Sequence, residues 1–128
     1  VFEWVHKMAS LDIKIISLAD TVGLALKEQV NIVTKYVIDS LPDVEIGVHL
    51  HSAAHNREEK LLAALEAGCY RFDAAIKGIG GCPMAGDDLV GNMDTEVMID
   101  FFKKAGFLID VDMAILKKCS NIASTIFV

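Results

Sequence analysis

Val44-Glu45-Ile46-Gly47-Val48-His49-Leu50-His51 is the stretch on which the fold of this 128-residue chain turns. Val44, Ile46 and Val48 give it the β-branched character of a buried strand, and it closes on two histidines one residue apart. In a strand, residues i and i+2 share a face. Both imidazoles therefore point one way while Leu50 packs the other way, and two ring nitrogens on one face make half of a chelating site. An isolated H-x-H also fits a blander arrangement, with one ring packed and the other bonded to a neighbour.

Two runs of the same kind flank it. Ile13-Lys14-Ile15-Ile16-Ser17-Leu18 leads into Ala19-Asp20-Thr21, and Tyr70-Arg71-Phe72-Asp73-Ala74-Ala75-Ile76 leads into Lys77-Gly78-Ile79-Gly80-Gly81. Strands are thus expected at about 13–18, 44–51 and 70–76. Helical spacing fills the intervals. Lys27 to Leu41 sets Val30, Val33, Val37 and Leu41 on one side and stops at Pro42. Asn56 to Ala67 sets Leu61, Leu62 and Leu65 opposite Arg57, Glu58, Glu59 and Lys60, with Gly68 as the residue after the helix. Thr95 to Ala105 follows Asp94, with either residue as N-cap, and ends at Gly106. Val111 to Ile122 reads as a last amphipathic helix, and Val1 to Ala9 as the end of a helix entering the first strand.

One helix between each pair of strands is the βαβ repeat, whose long crossovers make the strands parallel. The fold class is α/β: a small doubly wound sheet or a slice of a (β/α)₈ TIM barrel. A complete barrel needs ~250 residues, and three strands cannot close one. The polar residues that interrupt the apolar strands fall at one end: Asp20 after the first, His49 and His51 closing the second, and a glycine-rich loop with Cys82 after the third. That carboxyl end is the ligand face of parallel α/β folds.

The loop is Gly78-Ile79-Gly80-Gly81-Cys82-Pro83, continuing without helical or strand pattern to Gly91. Glycines permit close approach to a ligand, Pro83 restricts Cys82, and a loop this long in a compact domain usually carries function. The spacing is neither G-x-G-x-x-G nor a P-loop, which argues against a mononucleotide cradle. Alone, Cys82 would be read as a passive thiol; Cys69 and Cys119 are read as bland, as are His6 and His55.

Net charge −6 argues against nucleic acid. Three cysteines at irregular spacing fit free thiols in a reducing compartment. Neither a spanning segment nor a secretory signal is read, and the first residue is Val1, so a start upstream is expected. The hydrophobic fraction of 53% and mean hydropathy of +0.42 fit strands covered on both faces, or a surface normally covered by something outside the chain.

From about Ser17 to about Asp112 the chain resembles 3-hydroxy-3-methylglutaryl-CoA lyases of the DRE-TIM metallolyase superfamily. Ser17-Leu18-Ala19-Asp20-Thr21-Val22-Gly23 looks like the family's sixth barrel strand, Gly47-Val48-His49-Leu50-His51 like the metal-binding seventh, and Phe72-Asp73 through Gly78-Ile79-Gly80-Gly81-Cys82-Pro83 like the eighth with its catalytic-cysteine loop. Gly91-Asn92 matches the pair that supplies an asparagine ligand. Two residues depart from the family: Ser52 stands where an acidic residue is usual, and Lys77 where a small one is. The D-R-[DE] signature, which carries an aspartate ligand and a carbonyl-polarising arginine, is absent.

The resemblance implies that residues 1–128 are the C-terminal portion of a single TIM-barrel lyase domain, roughly its last three β/α units, inactive alone. It implies a divalent metal, Mg²⁺ or Mn²⁺, on His49, His51 and Asn92, with Cys82 and Asp20 catalytic and Gly78, Gly80, Gly81 and Pro83 shaping the substrate loop. The reaction implied is retro-Claisen cleavage of 3-hydroxy-3-methylglutaryl-CoA to acetyl-CoA and acetoacetate, a step of leucine degradation and ketone-body metabolism. Cys82 would protonate the product carbanion, and Asp20 would assist proton transfer or orientation. The partners implied are an acyl-CoA substrate and a second copy of the parent in a dimer, with no nucleic acid and no membrane. The location implied is cytoplasmic in a bacterium and the mitochondrial matrix in a eukaryote, with no targeting segment in this chain. H-x-H is shared with isopropylmalate synthases, homocitrate synthases and 4-hydroxy-2-oxoacid aldolases. An aldolase or acyl-CoA condensing enzyme is therefore the alternative, and a non-catalytic metal- or partner-binding βα domain a further one.

Overall fold

The computed structural model describes residues 1–81 and 90–127. In chain order the elements are α1 (Phe2–Ser10), β1 (Ile15–Asp20), α2 (Lys27–Ser40), β2 (Glu45–Leu50), α3 (Arg57–Glu66), β3 (Arg71–Asp73), a 3₁₀ turn (Ile76–Gly78), α4 (Thr95–Lys104) and α5 (Met113–Ile126). The three strands form one parallel sheet in the order β1-β2-β3. The alternation of strand and helix produces the α/β layering expected from the sequence, and among the described residues no further strand pairs with the outer side of β1.

The boundaries differ in instructive ways. The first strand is shifted to Ile15–Asp20, so Asp20 is its last residue and not part of the loop beyond it. Ile13 and Lys14 precede it because Asp12 takes a left-handed backbone at φ 63° and turns the chain there. The second strand ends at Leu50, and His51 continues it only through an isolated bridge to Asn92. The third contracts to three residues because the chain coils into the 3₁₀ turn at Ile76. The last helix starts at Met113, where the Asp112 carboxylate accepts from the amides of Ala114 and Ile115, and runs on to Ile126. Asp94 caps α4 in the same way, accepting from Glu96 and Val97. Such caps satisfy amides that the first helical turn leaves unpaired.

Alternation sorts the strand residues. Ile16, Ile46, Val48 and Leu50 are buried on the helix side, joined there by Val30, Leu61, Ala64, Cys69, Met93 and Phe102. Phe72 meets Phe102 edge to face on that side, with ring centroids 4.8 Å apart. The opposite side carries Ser17, Ala19, Glu45, Gly47, His49, Arg71 and Asp73, which are neighbours by strand register. A sheet with helices on one face and polar side chains on the other has the layering of a barrel wall. No helix among the described residues is long and apolar enough to cross a membrane.

One assignment of faces is corrected. Lys60 was expected on the solvated side of its helix, but it is only 1% exposed, whereas Leu62 is 45% exposed. Positions 57, 60, 61 and 64 form the i, i+3, i+4, i+7 stripe that packs inward.

Candidate metal and loop site

His49 and His51 lie on one side of β2, as their spacing requires. Their ring centroids are 5.3 Å apart in an edge-on arrangement. His51 is buried, and its Nδ1 has no hydrogen-bond partner among the described residues. His49 is half-exposed, and its Nδ1 lies 3.9 Å from Asp73 Oδ2. That is too long for a hydrogen bond but sets a carboxylate beside the ring. Asp73 also accepts from Ser17 Oγ at 3.2 Å. Its place beside His49 was legible in principle, since residues 71 and 73 of a parallel neighbour share the histidine's face.

Asn92 joins this pair through backbone pairing. His51 and Asn92 form an antiparallel bridge; Met93 N donates to Leu50 O at 3.0 Å and Ser52 N to Gly91 O at 3.0 Å. On its other side the same short segment pairs with the end of the third strand: Ala75 N donates to Met93 O and Thr95 N to Ala75 O. Residues 91–95 are thus laid down as an extra strand-like layer. The Asn92 Nδ2 group donates to Ile79 O at 2.9 Å, which leaves the amide oxygen as the end that can face a cation.

The glycines make this closeness feasible. Asn92 N donates to Gly80 O, and Gly81 bridges Gly91 in antiparallel sense. A Cβ on Gly78 would sit 2.8 Å from Asn92 O, and one on Gly91 would sit 2.8 Å from Gly78 O. Side chains at either position would push the two limbs apart. The base of the loop is therefore a zipped pair of strands. Cys82 and Pro83 follow directly on Gly81 and lie outside the described residues.

Lys77 also shows why a small residue suits its position. Its backbone is left-handed at φ 58°, a conformation that costs a side-chain-bearing residue about 1–2 kcal/mol. Here it is held from both ends: its N–H donates to Glu96 Oε2 at 2.9 Å, and its ammonium meets Ser124 on α5. Ser52, the other departure, is fully buried on the core side with its hydroxyl 3.6 Å from Met93 Sδ.

Asp20 stands apart from the histidines. It pairs in register with Leu50, on the helix side of the sheet. Its Oδ2 accepts from Lys60 Nζ at 2.7 Å and its Oδ1 from Ala25 N at 3.2 Å. Cys69 is buried, and burial pushes its thiol above the usual thiol range. It is a core residue, as expected, whereas Cys119 is exposed.

The residues present suit a divalent cation. Two imidazoles and an amide oxygen form a mixed N/O donor set, and the buried, partnerless nitrogen of His51 calls for a ligand. Among the described residues no group of three His, Cys, Asp or Glu gathers at one place.

A family model described as HMGL-like matches residues 1–123. The chain is 37% identical over 106 residues to the (R)-citramalyl-CoA lyase of Chloroflexus aurantiacus, covering 83% of this chain and 33% of that protein. It is 32% identical over 98 residues to the cytoplasmic 3-hydroxy-3-methylglutaryl-CoA lyase of Mus musculus, covering 77% of this chain and 28% of that one. Among solved structures, an HMG-CoA lyase from A. baumannii in complex with coenzyme A and 3-methylmalate superposes with a TM-score of 0.83 at 32% identity, over 96% of this chain and 40% of that one. The chain thus spans about a third of the length of the curated relatives it matches.

Proposed function

Since the chain belongs to the HMGL-like family of DRE-TIM lyases, we propose that its whole polypeptide is a divalent-metal-dependent carbon–carbon lyase acting on a 3-hydroxy-acyl-CoA. The observation that carries this reading is the pairing of His51 with Asn92. It brings an H-x-H pair and an amide from the far side of a glycine loop to one spot.

In this reading His49, His51 and Asn92 hold Mg²⁺ or Mn²⁺. When bound there, a divalent cation would supply Lewis-acid chemistry, easing loss of the substrate's hydroxyl proton. The chain's own residues do the rest. Asp73 sits beside the His49 ring, its Oδ2 3.9 Å from Nδ1, and sets a carboxylate next to the imidazole that would hold the cation. Gly78–Gly81 and Gly91–Asn92 pair at the base of the glycine loop, and Cys82, the residue after Gly81 in sequence, is the acid expected from the family resemblance to protonate the carbanion left when the carbon–carbon bond breaks. A thiol suits this task, with an ordinary pKa of ~8.5 that nearby cations lower.

The substrate expected from the family resemblance is 3-hydroxy-3-methylglutaryl-CoA, which yields acetyl-CoA and acetoacetate. The identity to the Chloroflexus enzyme favours a second reading, citramalyl-CoA, which yields acetyl-CoA and pyruvate by the same bond cleavage. The two substrates differ by one methylene between the carbinol carbon and the distal carboxylate. Incubating the full-length polypeptide with each thioester and Mn²⁺, and assaying acetoacetate and pyruvate separately, distinguishes them. Acetoacetate from the first substrate alone supports the first reading, pyruvate from the second alone supports the other, and cleavage of neither sinks both.

A further inference from the structure

Lys60 is 1% exposed, and each of its three ammonium protons has an acceptor: Asp20 Oδ2 at 2.7 Å, Gly23 O at 2.9 Å and His51 O at 3.0 Å. A buried ammonium has three donors and tolerates none unpaired. It rises from α3 behind the sheet and joins the ends of β1 and β2, the turn after β1, and the backbone of His51.

The peptide groups flanking His51 are also held by partners near Asn92. Leu50 O accepts from Met93 N, and Ser52 N donates to Gly91 O. The carbonyl of His51 lies past the sheet ladder, and its bond within the described residues comes from Lys60. Asp20, with both oxygens committed to Lys60 and Ala25, is the counter-charge that permits an ammonium to be buried there.

We propose that Lys60 is the positioning residue of His51, fixing the histidine's backbone from behind the sheet, and that Asp20 acts through Lys60 as its counter-ion and not as a proton carrier. This rests on the reading of His51 as a metal ligand. The pair is close to neutral as a unit, so it steadies His51 without setting net positive charge behind a cation site. Removing Asp20 alone leaves the ammonium charge in place; removing both together leaves an unheld carbonyl.

The test uses the full-length polypeptide in four forms: the parent, His49→Ala/His51→Ala, Asp20→Leu/Lys60→Met and Asp20→Asn. Replacing a buried ion pair by apolar residues of similar volume often preserves folding. Mn²⁺ affinity is read by calorimetry, and the imidazole ¹⁵N shifts of His49 and His51 are read in the metal-free proteins. The Asp20→Leu/Lys60→Met protein is expected to unfold near the parent's midpoint and to lose about 10- to 100-fold in Mn²⁺ affinity. Its His51 resonances move and broaden while those of His49 stay. Affinity within about twofold of the parent, with His51 unmoved, overturns the role of Lys60 while leaving the metal reading intact. If that protein fails to fold, Asp20→Asn decides: affinity lowered about tenfold supports the proposal, and unchanged affinity overturns it. A parent that takes no Mn²⁺, or binding undiminished in His49→Ala/His51→Ala, removes the metal reading and this proposal with it.

Discussion

Asn92 lies directly across an antiparallel bridge from His51, although 41 positions separate Ser52 and Met93, the neighbours on either side of that bridge that also touch. The bridge turns the far limb of the glycine loop into a neighbour of the second strand. Pairing of the loop's two limbs and the approach of Asn92 to His51 therefore go together, and a change in either limb is felt at both.

Gly91→Ala is expected to show this coupling. Its Cβ would meet Gly78 O at 2.8 Å, and neither partner is a flexible side-chain tip. A cost of about 1–3 kcal/mol is expected, as for other overpacked sites, with turnover falling further than stability because Asn92 moves with Gly91. Thermal unfolding and steady-state kinetics of the full-length variant measure the two effects. Unchanged turnover would separate the loop from the site.

Lys60→Met alone strands the Asp20 carboxylate, which is 8% exposed, without its cation. Breaking a buried pair from one side costs about 3–5 kcal/mol, so a large drop in unfolding free energy is expected. Adding Asp20→Leu should restore most of it. A single variant as stable as the parent in urea unfolding would show that the pair contributes little.

Cys69 is expected to resist alkylation in the native protein. Burial raises its thiol pKa, so at any pH below that raised value less thiolate is present than in the unfolded chain. Raising the pH should increase its reactivity only above the range where an exposed thiol already reacts. Iodoacetamide labelling followed by peptide mass spectrometry, with and without denaturant, checks this. Rapid native labelling at Cys69 would contradict the packing described.

The 128 residues on their own are expected to self-associate and to give no lyase turnover. The β1 edge and apolar side chains such as Ile15 and Leu24 are open to solvent, and exposed strand edges and apolar patches recruit partners. The family's aspartate ligand and arginine are also lacking. Sedimentation and a coupled assay test both statements. A stable monomer, or activity in a clean preparation, would go against them.

Much of the fold was legible because period-two and period-3.6 patterns translate directly into faces. His49 and His51 sharing a side follows from alternation alone, and the caps at Asp94 and the stops near Gly68 and Gly106 follow from local chemistry. The ends of the strands were less legible: left-handed Asp12 displaced the first, and the coil at Ile76 shortened the third. Lys60 was misplaced because charge was taken as a sign of exposure. Its partner Asp20 is 40 residues away, and only the tertiary fold brings them together. The bridge from His51 to Asn92 was invisible for the same reason, since nothing local marks residues 91–95 as strand-like.

The central claim is that His49 and His51 hold a divalent cation, and calorimetric titration of Mn²⁺ into the full-length polypeptide tests it most directly. The account predicts one Mn²⁺ site in the parent that is lost in His49→Ala/His51→Ala with the fold retained. Undiminished Mn²⁺ binding in the folded double variant would contradict it.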